Sequence, residues 1–119
     1  MEIIKQDSKI FTIPLQDSNN DPITNLAECS EIVFVLKKEQ SDIEPVIKIT
    51  KTGGGIEVNN PVVGSVKLNI TAIDSNIEVG SYYIALKLIY SATNKITISL
   101  SENNKKIERF KILQNTITD

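Results

Sequence analysis

Apolar and polar residues alternate most clearly between Val66 and Leu88. Val66, Leu68 and Ile70 are spaced by Lys67 and Asn69. After a largely polar stretch over 71–79, Gly80-Ser81-Tyr82-Tyr83 opens a second alternating run through Tyr82, Ile84, Leu86 and Leu88. A strand turns successive side chains to opposite faces, so a period of two marks a strand with one face buried and one wet. Lys9–Leu15 shows the same pattern. Phe11, Ile13 and Leu15 share one face, while Ile10, Thr12 and Pro14 share the other. Pro14 has no N–H to give to a ladder, which predicts an edge strand or a bulge. Glu31–Lys37 sets Ile32, Phe34 and Leu36 on one side and Val33 and Val35 on the other. Apolar residues on both faces predict a central strand.

Further strands are predicted at Val46–Thr50, Ile56–Val58, Ser65–Thr71, Ser81–Tyr90, Lys95–Ser101 and Ile107–Leu113. The segments between them are built for turning. Gln16–Pro22 is dense in Asp, Asn and Ser, which bond to their own backbone. Lys38–Glu44, Gly53-Gly54-Gly55 and Asn59-Asn60-Pro61 also read as turns. Glu102–Lys106 reads as the turn of a closing hairpin. A single helical turn is expected near Thr71–Asn76, capped by Thr71 or Asp74. Seven or eight short strands, separated by frequent turns, predict an all-β sandwich of two antiparallel sheets. Phe11, Ile13, Leu15, Ile32, Phe34, Leu36, Val66, Leu68, Ile70, Tyr82, Ile84, Leu86 and Leu88 are expected to supply most of its core. A polar partner is expected for the Tyr82 hydroxyl.

Composition narrows the function. At 119 residues the chain reads as one domain over 1–119, with a core over about 8–113 and short tails. A net charge of −2 gives no reason to expect nucleic acid or an anionic membrane as partner. The chain has no His, which removes the commonest general base and the commonest zinc ligand. Cys29 is the only cysteine, so no disulfide framework or thiolate metal site is available, and it reads as a small buried hydrophobe. Folding without disulfides fits synthesis in a reducing cytoplasm. Met1–Asp7 lacks the apolar run of a signal peptide, and no apolar segment is long enough to span a membrane.

Several motifs invite chemistry. Asp17, Asn19, Asp21, Asn25 and Glu28 fall at positions one, three, five, nine and twelve of a calcium-loop window. Position six is Pro22, whose locked φ cannot copy the glycine bend, and the flanks read as strands. The Asp17–Glu28 segment is therefore expected to be a polar interstrand loop. Gly53-Gly54-Gly55 lacks the following helix that a phosphate cradle needs. Asn69-Ile70-Thr71 has the form of a glycosylation sequon at a strand end. Asp42 and Glu44 sit in one polar turn, with no opposing carboxylate across a cleft. Lys105, Lys106, Arg109 and Lys111 make a modest basic cluster, expected to be a solvated strand face. No catalytic, cofactor or metal residue is predicted, and no enzyme activity.

The order of features resembles a family. Phe11-Thr12-Ile13-Pro14-Leu15 runs into an Asp-rich turn and the step Pro22-Ile23-Thr24-Asn25-Leu26. Ile32-Val33-Phe34-Val35-Leu36-Lys37-Lys38 follows. Then come Val66-Lys67-Leu68-Asn69-Ile70-Thr71, Gly80-Ser81-Tyr82-Tyr83-Ile84 and a closing hairpin. Over about residues 8–113 this resembles the immunoglobulin-like N-terminal domains of phage baseplate upper proteins and related small virion proteins. Asn20-Asp21 stands where that family usually has Asp-Gly. The domain often heads a longer fibre protein, and a chain ending after it looks more like a decorating or adaptor subunit.

The resemblance implies an immunoglobulin-like sandwich. It also implies a non-enzymatic virion structural protein on the capsid or in the tail, made in the host bacterial cytoplasm. Its partners would be other virion proteins in multiple copies, met through strand edges and tails. Ile3-Ile4 and Ile112-Leu113 are the expected contact segments. The alternative is a glycan- or receptor-binding module, for which Tyr83 or Tyr90 would form an exposed platform.

Overall fold

The computed structural model describes residues 1–60, 64–102 and 105–117. Eleven strands are formed among them: β1 (Glu2–Ile4), β2 (Lys9–Pro14), β3 (Glu31–Lys37), β4 (Ile47–Thr50), β5 (Ile56–Asn60), β6 (Ser65–Ile70), β7 (Gly80–Ile89), β8 (Lys95–Ile98), β9 (Leu100–Glu102), β10 (Lys105–Ile107) and β11 (Arg109–Leu113). The fold is all-β. Its only helix among the described residues is one 3-10 turn at Leu26–Glu28.

Two sheets face each other. The larger runs β1-β11-β7-β3-β4, with β8 alongside the far half of β7. The smaller runs β2-β6-β5. The alternation in the sequence sets which side chains meet. Ile32, Phe34 and Leu36 of β3 point inward with Leu86 and Leu88 of β7, while Val66, Leu68 and Ile70 rise from β6. Phe11 of β2 meets Phe110 of β11 edge-on, with ring centroids 5.6 Å apart. Phe34 approaches Phe110 in the same manner at 6.3 Å. Phe110 therefore touches an aromatic ring from each sheet, an arrangement that suits the ring quadrupoles.

The predicted core is largely found, with two shifts. Phe11 and Ile84 are half-buried and pack on the core rather than within it. Ile3, Leu26, Cys29, Ile47, Ile49, Ile56, Ile98, Leu100, Phe110 and Ile112 join it. Pro14 does lie on an edge strand, since β2 has β6 on one side only. β3 is central, held by β7 and β4.

Three strand predictions are corrected. The large sheet is mixed, because β1 pairs parallel to β11 through Glu2↔Lys111, Ile3↔Ile112 and Ile4↔Leu113. Three residues are too few to show a period, so this strand was invisible as a pattern. The predicted strand Lys95–Ser101 breaks at Ser99, and Ile107–Leu113 breaks at Glu108. β8 pairs with the far half of β7 and β11 with its near half. Between them β9 and β10 form an antiparallel hairpin of their own, with Leu100 buried. Glu102, Lys105 and Lys106 are thus strand residues rather than turn, and Asn103 and Asn104 lie outside the described residues, as does Pro61 of the turn predicted at 59–61.

Both proposed caps of the 71–76 turn act together. Asp74 Oδ2 accepts the N–H of Thr71 at 3.0 Å, and Thr71 Oγ1 accepts the N–H of Asp74 at 3.1 Å. This is the reciprocal logic of a capping box. Buried Ser75 donates to the Asp7 carbonyl at 2.6 Å, pinning the turn to the link between β1 and β2.

Tyr82 finds its polar partner just upstream. Its hydroxyl donates to the Glu78 carbonyl at 2.5 Å. Tyr82→Phe removes that bond and leaves a carbonyl short of a donor. Urea unfolding should show a loss of about 1 kcal/mol. An unchanged midpoint would mean that water replaces the hydroxyl without penalty.

Candidate functional site

Two surfaces could carry a function. The first is a groove of about 1150 Å³ between the 16–25 loop, the 96–100 segment and β10. The loop owes its shape to one carboxylate. Asp17 Oδ1 accepts the N–H of Asn19 at 2.9 Å and of Asp21 at 3.0 Å. Asn20 sits between them at φ 64°, a left-handed conformation that Asn tolerates better than most residues. Gln16 then bridges to Pro22, and the chain returns past Ile23, whose N–H donates to the Leu15 carbonyl at 3.1 Å.

The five residues of the calcium window are spread over different tasks. The Asp17 carboxylate binds its own loop backbone. Asn25 Oδ1 accepts the Tyr90 hydroxyl at 2.7 Å. Glu28 ends the 3-10 turn. Asn19 and Asp21 are exposed. No cluster of three or more potential metal-ligating side chains occurs among the described residues.

Tyr90 ties the groove together. Its hydroxyl holds Asn25, and the thiol of Cys29 lies beside it. Burial, then the hydrogen bond with Cys29, pushes the phenol up to about 12. Burial likewise raises the Cys29 thiol. Burial, then the charge of Glu78, raises Tyr82. An unfolded tyrosine ionises near 10. The stabilisation from the neutral phenols is therefore fully present below about pH 10 and lost as pH rises towards about 12. Urea midpoints should fall between about pH 10 and about pH 12. The fall should be shallower in Tyr90→Phe. Parallel curves for the two proteins would remove Tyr90 as the cause.

The groove lining mixes Gln16, Asn20, Thr24 and Thr97 with Tyr90 and Ile96. Amides and hydroxyls there can bond a polar ligand.

The second surface is the outer face of the large sheet. Cross-strand register sets Lys37 opposite Tyr83 and Tyr83 opposite Arg109. Lys48 lies opposite Val35, and Val35 opposite Ala85. The Arg109 guanidinium lies 3.9 Å over the Tyr83 ring. Its Nε donates to Ser81 Oγ at 3.0 Å and its Nη2 to the Ser81 carbonyl at 3.1 Å. Tyr83 is thus capped by a cation and does not present an open aromatic platform. Comparison with family models, with curated proteins and with solved structures gave no match to this chain.

The remaining candidates scatter. The predicted basic cluster divides: Arg109 and Lys111 lie on the outer face, whereas Lys106 faces the groove and pairs with Glu108 at 3.5 Å. Lys105 falls in β10, its side chain outside the described residues. Gly53-Gly54-Gly55 makes the turn between β4 and β5, with Gly54 at φ 85°. Asn69 is exposed on β6. Asp42 Oδ2 accepts the N–H of Glu39 within the β3–β4 loop. The two predicted contact segments are used on each other: Ile3 and Ile112 are buried as cross-strand partners, and Ile4 stays exposed. No helix among the described residues is long and apolar enough to cross a membrane.

The outer face had a partial signal in the sequence. Val33 and Val35, apolar on the side of β3 away from the core, marked something beyond a solvated strand. The lysines on neighbouring strands gave no sign of being neighbours.

Proposed function

We propose that this chain is a non-enzymatic docking module built as an immunoglobulin-like sandwich. We further propose that it serves as a structural protein of a phage virion, decorating the capsid or seated in the tail. The strand order supports the architecture. β2-β6-β5 corresponds to the B-E-D sheet of such domains, and β1-β11-β7-β3-β4 to A′-G-F-C-C′. Tyr82, at the start of the F-like strand and bonded back to Glu78, occupies the place of a tyrosine corner. The chain lacks the buried Trp and paired cysteines of antibody domains, so its core must hold by packing alone.

The observation that carries the docking reading is the outer face of the large sheet. Half-buried Val33, Val35 and Ala85 lie at its centre with Tyr83 beside them, and long cations surround them. An apolar centre inside a charged rim is the anatomy of a protein interface. Repeated on a symmetric shell or tail, contacts that are weak singly would hold through avidity. Quantitative peptide mass spectrometry on purified virions of the source phage tests this. On the order of hundreds of copies would mark a capsid protein, and roughly six to a few dozen a tail protein. Complete absence would overturn the virion reading.

The groove favours one other reading, a glycan-binding module. Its amides and hydroxyls, with the side of Tyr90, match the mixed polar and apolar surface of a sugar. A glycan screen with wild type, Asn20→Ala and Thr97→Ala decides this. Binding lost in both variants would support it, and no binding by wild type would remove it.

A further inference from the structure

The geometry points to a specific partner chemistry for the outer face: a protein surface that is acidic around an apolar centre. This rests on the docking reading above and names what is docked.

Side chains at every second position of a strand share a face. The inward set is fixed by the core, so the outward set follows. Lys37, Lys48, Lys87, Lys95, Arg109 and Lys111 all fall on it, on five neighbouring strands. These are six of the chain's 13 Lys and Arg, in a protein of net charge −2. Among the outward positions of these strands and β1, the only acids are Glu2 and Glu31. Glu31 is already engaged by the N–H and hydroxyl of Thr52, whose hydrogen bond holds its carboxyl below the usual range. The outer face of the smaller sheet shows no such bias, with Lys67 opposite Glu57 and Asn69 opposite Ile10. Positive charge is therefore concentrated on one face.

The centre of that face decides between anionic partners. Val33, Val35 and Ala85 offer apolar surface that phosphate or sugar would leave unused. Arg109 and Tyr83 supply the residue types that dominate protein interfaces. Arg109 is already held by Ser81, so binding orders less of it. Bases of a single strand need open aromatic rings, and Tyr83 is capped. A membrane surface needs apolar side chains that reach past the headgroups, whereas these are short and half-buried among lysines. A second copy docking by the same face would set lysine against lysine.

The test uses two labelled synthetic peptides of equal length and charge. In one, glutamates are interspersed with valine and leucine. In the other they are interspersed with serine. Duplex DNA and phosphatidylserine vesicles are measured at the same salt. The apolar acidic peptide should bind at least about tenfold more tightly than the serine peptide. The double variant K48E/K87E should weaken both by about a hundredfold. Val35→Thr should remove the advantage of the apolar peptide and leave the serine peptide unchanged. If K48E/K87E does not fold, K48Q/K87Q takes its place, with a smaller loss expected in the same direction. Equal binding of the two peptides would overturn the proposal. So would tighter binding of DNA or vesicles, indifference to both double variants, or self-association that either double variant abolishes. The protein found on virions without peptide binding would overturn this face alone. Peptide binding by a protein absent from virions would overturn the virion reading and keep the face.

Discussion

Phe110→Ala is expected to cost about 3–5 kcal/mol, the range for deleting a large buried ring. Few domains have more than about 5–15 kcal/mol to lose, so the variant should sit near the edge of folding. The position explains the size of the effect. Phe110 is fully buried on β11 and meets Phe11 of the opposite sheet and Phe34 of its own, at interplanar angles of 74° and 71°. Its removal deletes both edge-on contacts at once. The cavity cannot close readily, because β11 is held on one side by β7 and on the other by β1. Urea unfolding followed by circular dichroism measures the loss. Lys111→Ala, the next residue on the same strand but on the outer face, should stay within about 0.5 kcal/mol. A loss below about 1.5 kcal/mol for Phe110→Ala would mean that the two sheets do not depend on this ring.

Gly64→Ala should be the most damaging of the glycine substitutions. Gly64 holds φ 71°, and the left-handed region alone costs an L-residue about 1–2 kcal/mol. Space is the larger problem. A Cβ there would lie 2.4 Å from the Ile23 carbonyl oxygen, 2.8 Å from the Ile23 nitrogen and 3.0 Å from the Leu15 carbonyl oxygen. All three are backbone atoms, so no rotamer can move aside. The same junction carries hydrogen bonds, from Leu15 N–H to the Gly64 carbonyl at 2.6 Å and from Ile23 N–H to the Leu15 carbonyl. Each one lost adds about 0.5–1.5 kcal/mol. The total should exceed about 2 kcal/mol, and the 16–25 loop that walls the groove should loosen with it. Gly54→Ala is the control. Gly54 has φ 85°, yet nothing lies within 4 Å of its Cβ position, so it should show only the conformational cost. Hydrogen exchange at Leu15 and Ile23 separates the two. Equal stability losses for the two variants would mean that Gly64 is not crowded.

Both predictions act through contacts that join distant parts of the chain, and these are what the sequence hid. Along the chain neither Phe110 nor Gly64 stands out. Their weight comes from Phe11, Phe34, Leu15 and Ile23, brought to them by pairing between strands.

The candidate surfaces show the same division. Asp17, Asn19, Asp21, Asn25 and Glu28 matched a ligand spacing along the chain, but folding sends Asp17 to its own backbone and Asn25 to Tyr90. Tyr83 and Tyr90 were singled out as aromatic platforms. One is covered by Arg109, and the other is a half-buried anchor of the groove.

The strand character of the chain and the inward or outward sense of most positions are legible in the order of its residues. Period-two alternation is a local property of the backbone, so Ile32, Phe34, Leu36, Val66, Leu68 and Ile70 could be assigned to the core without knowing what they touch. Turn chemistry was equally local, as Thr71 and Asp74 show. The tertiary structure alone decided which strands are neighbours and in what register. It turned Glu2-Ile3-Ile4 into a parallel edge strand on β11, split the last predicted strands around a hairpin, and gathered six separate cations onto one face. A strand's alternation says which way a lysine points. Only hydrogen-bonded pairing between segments far apart in the chain says what stands beside it.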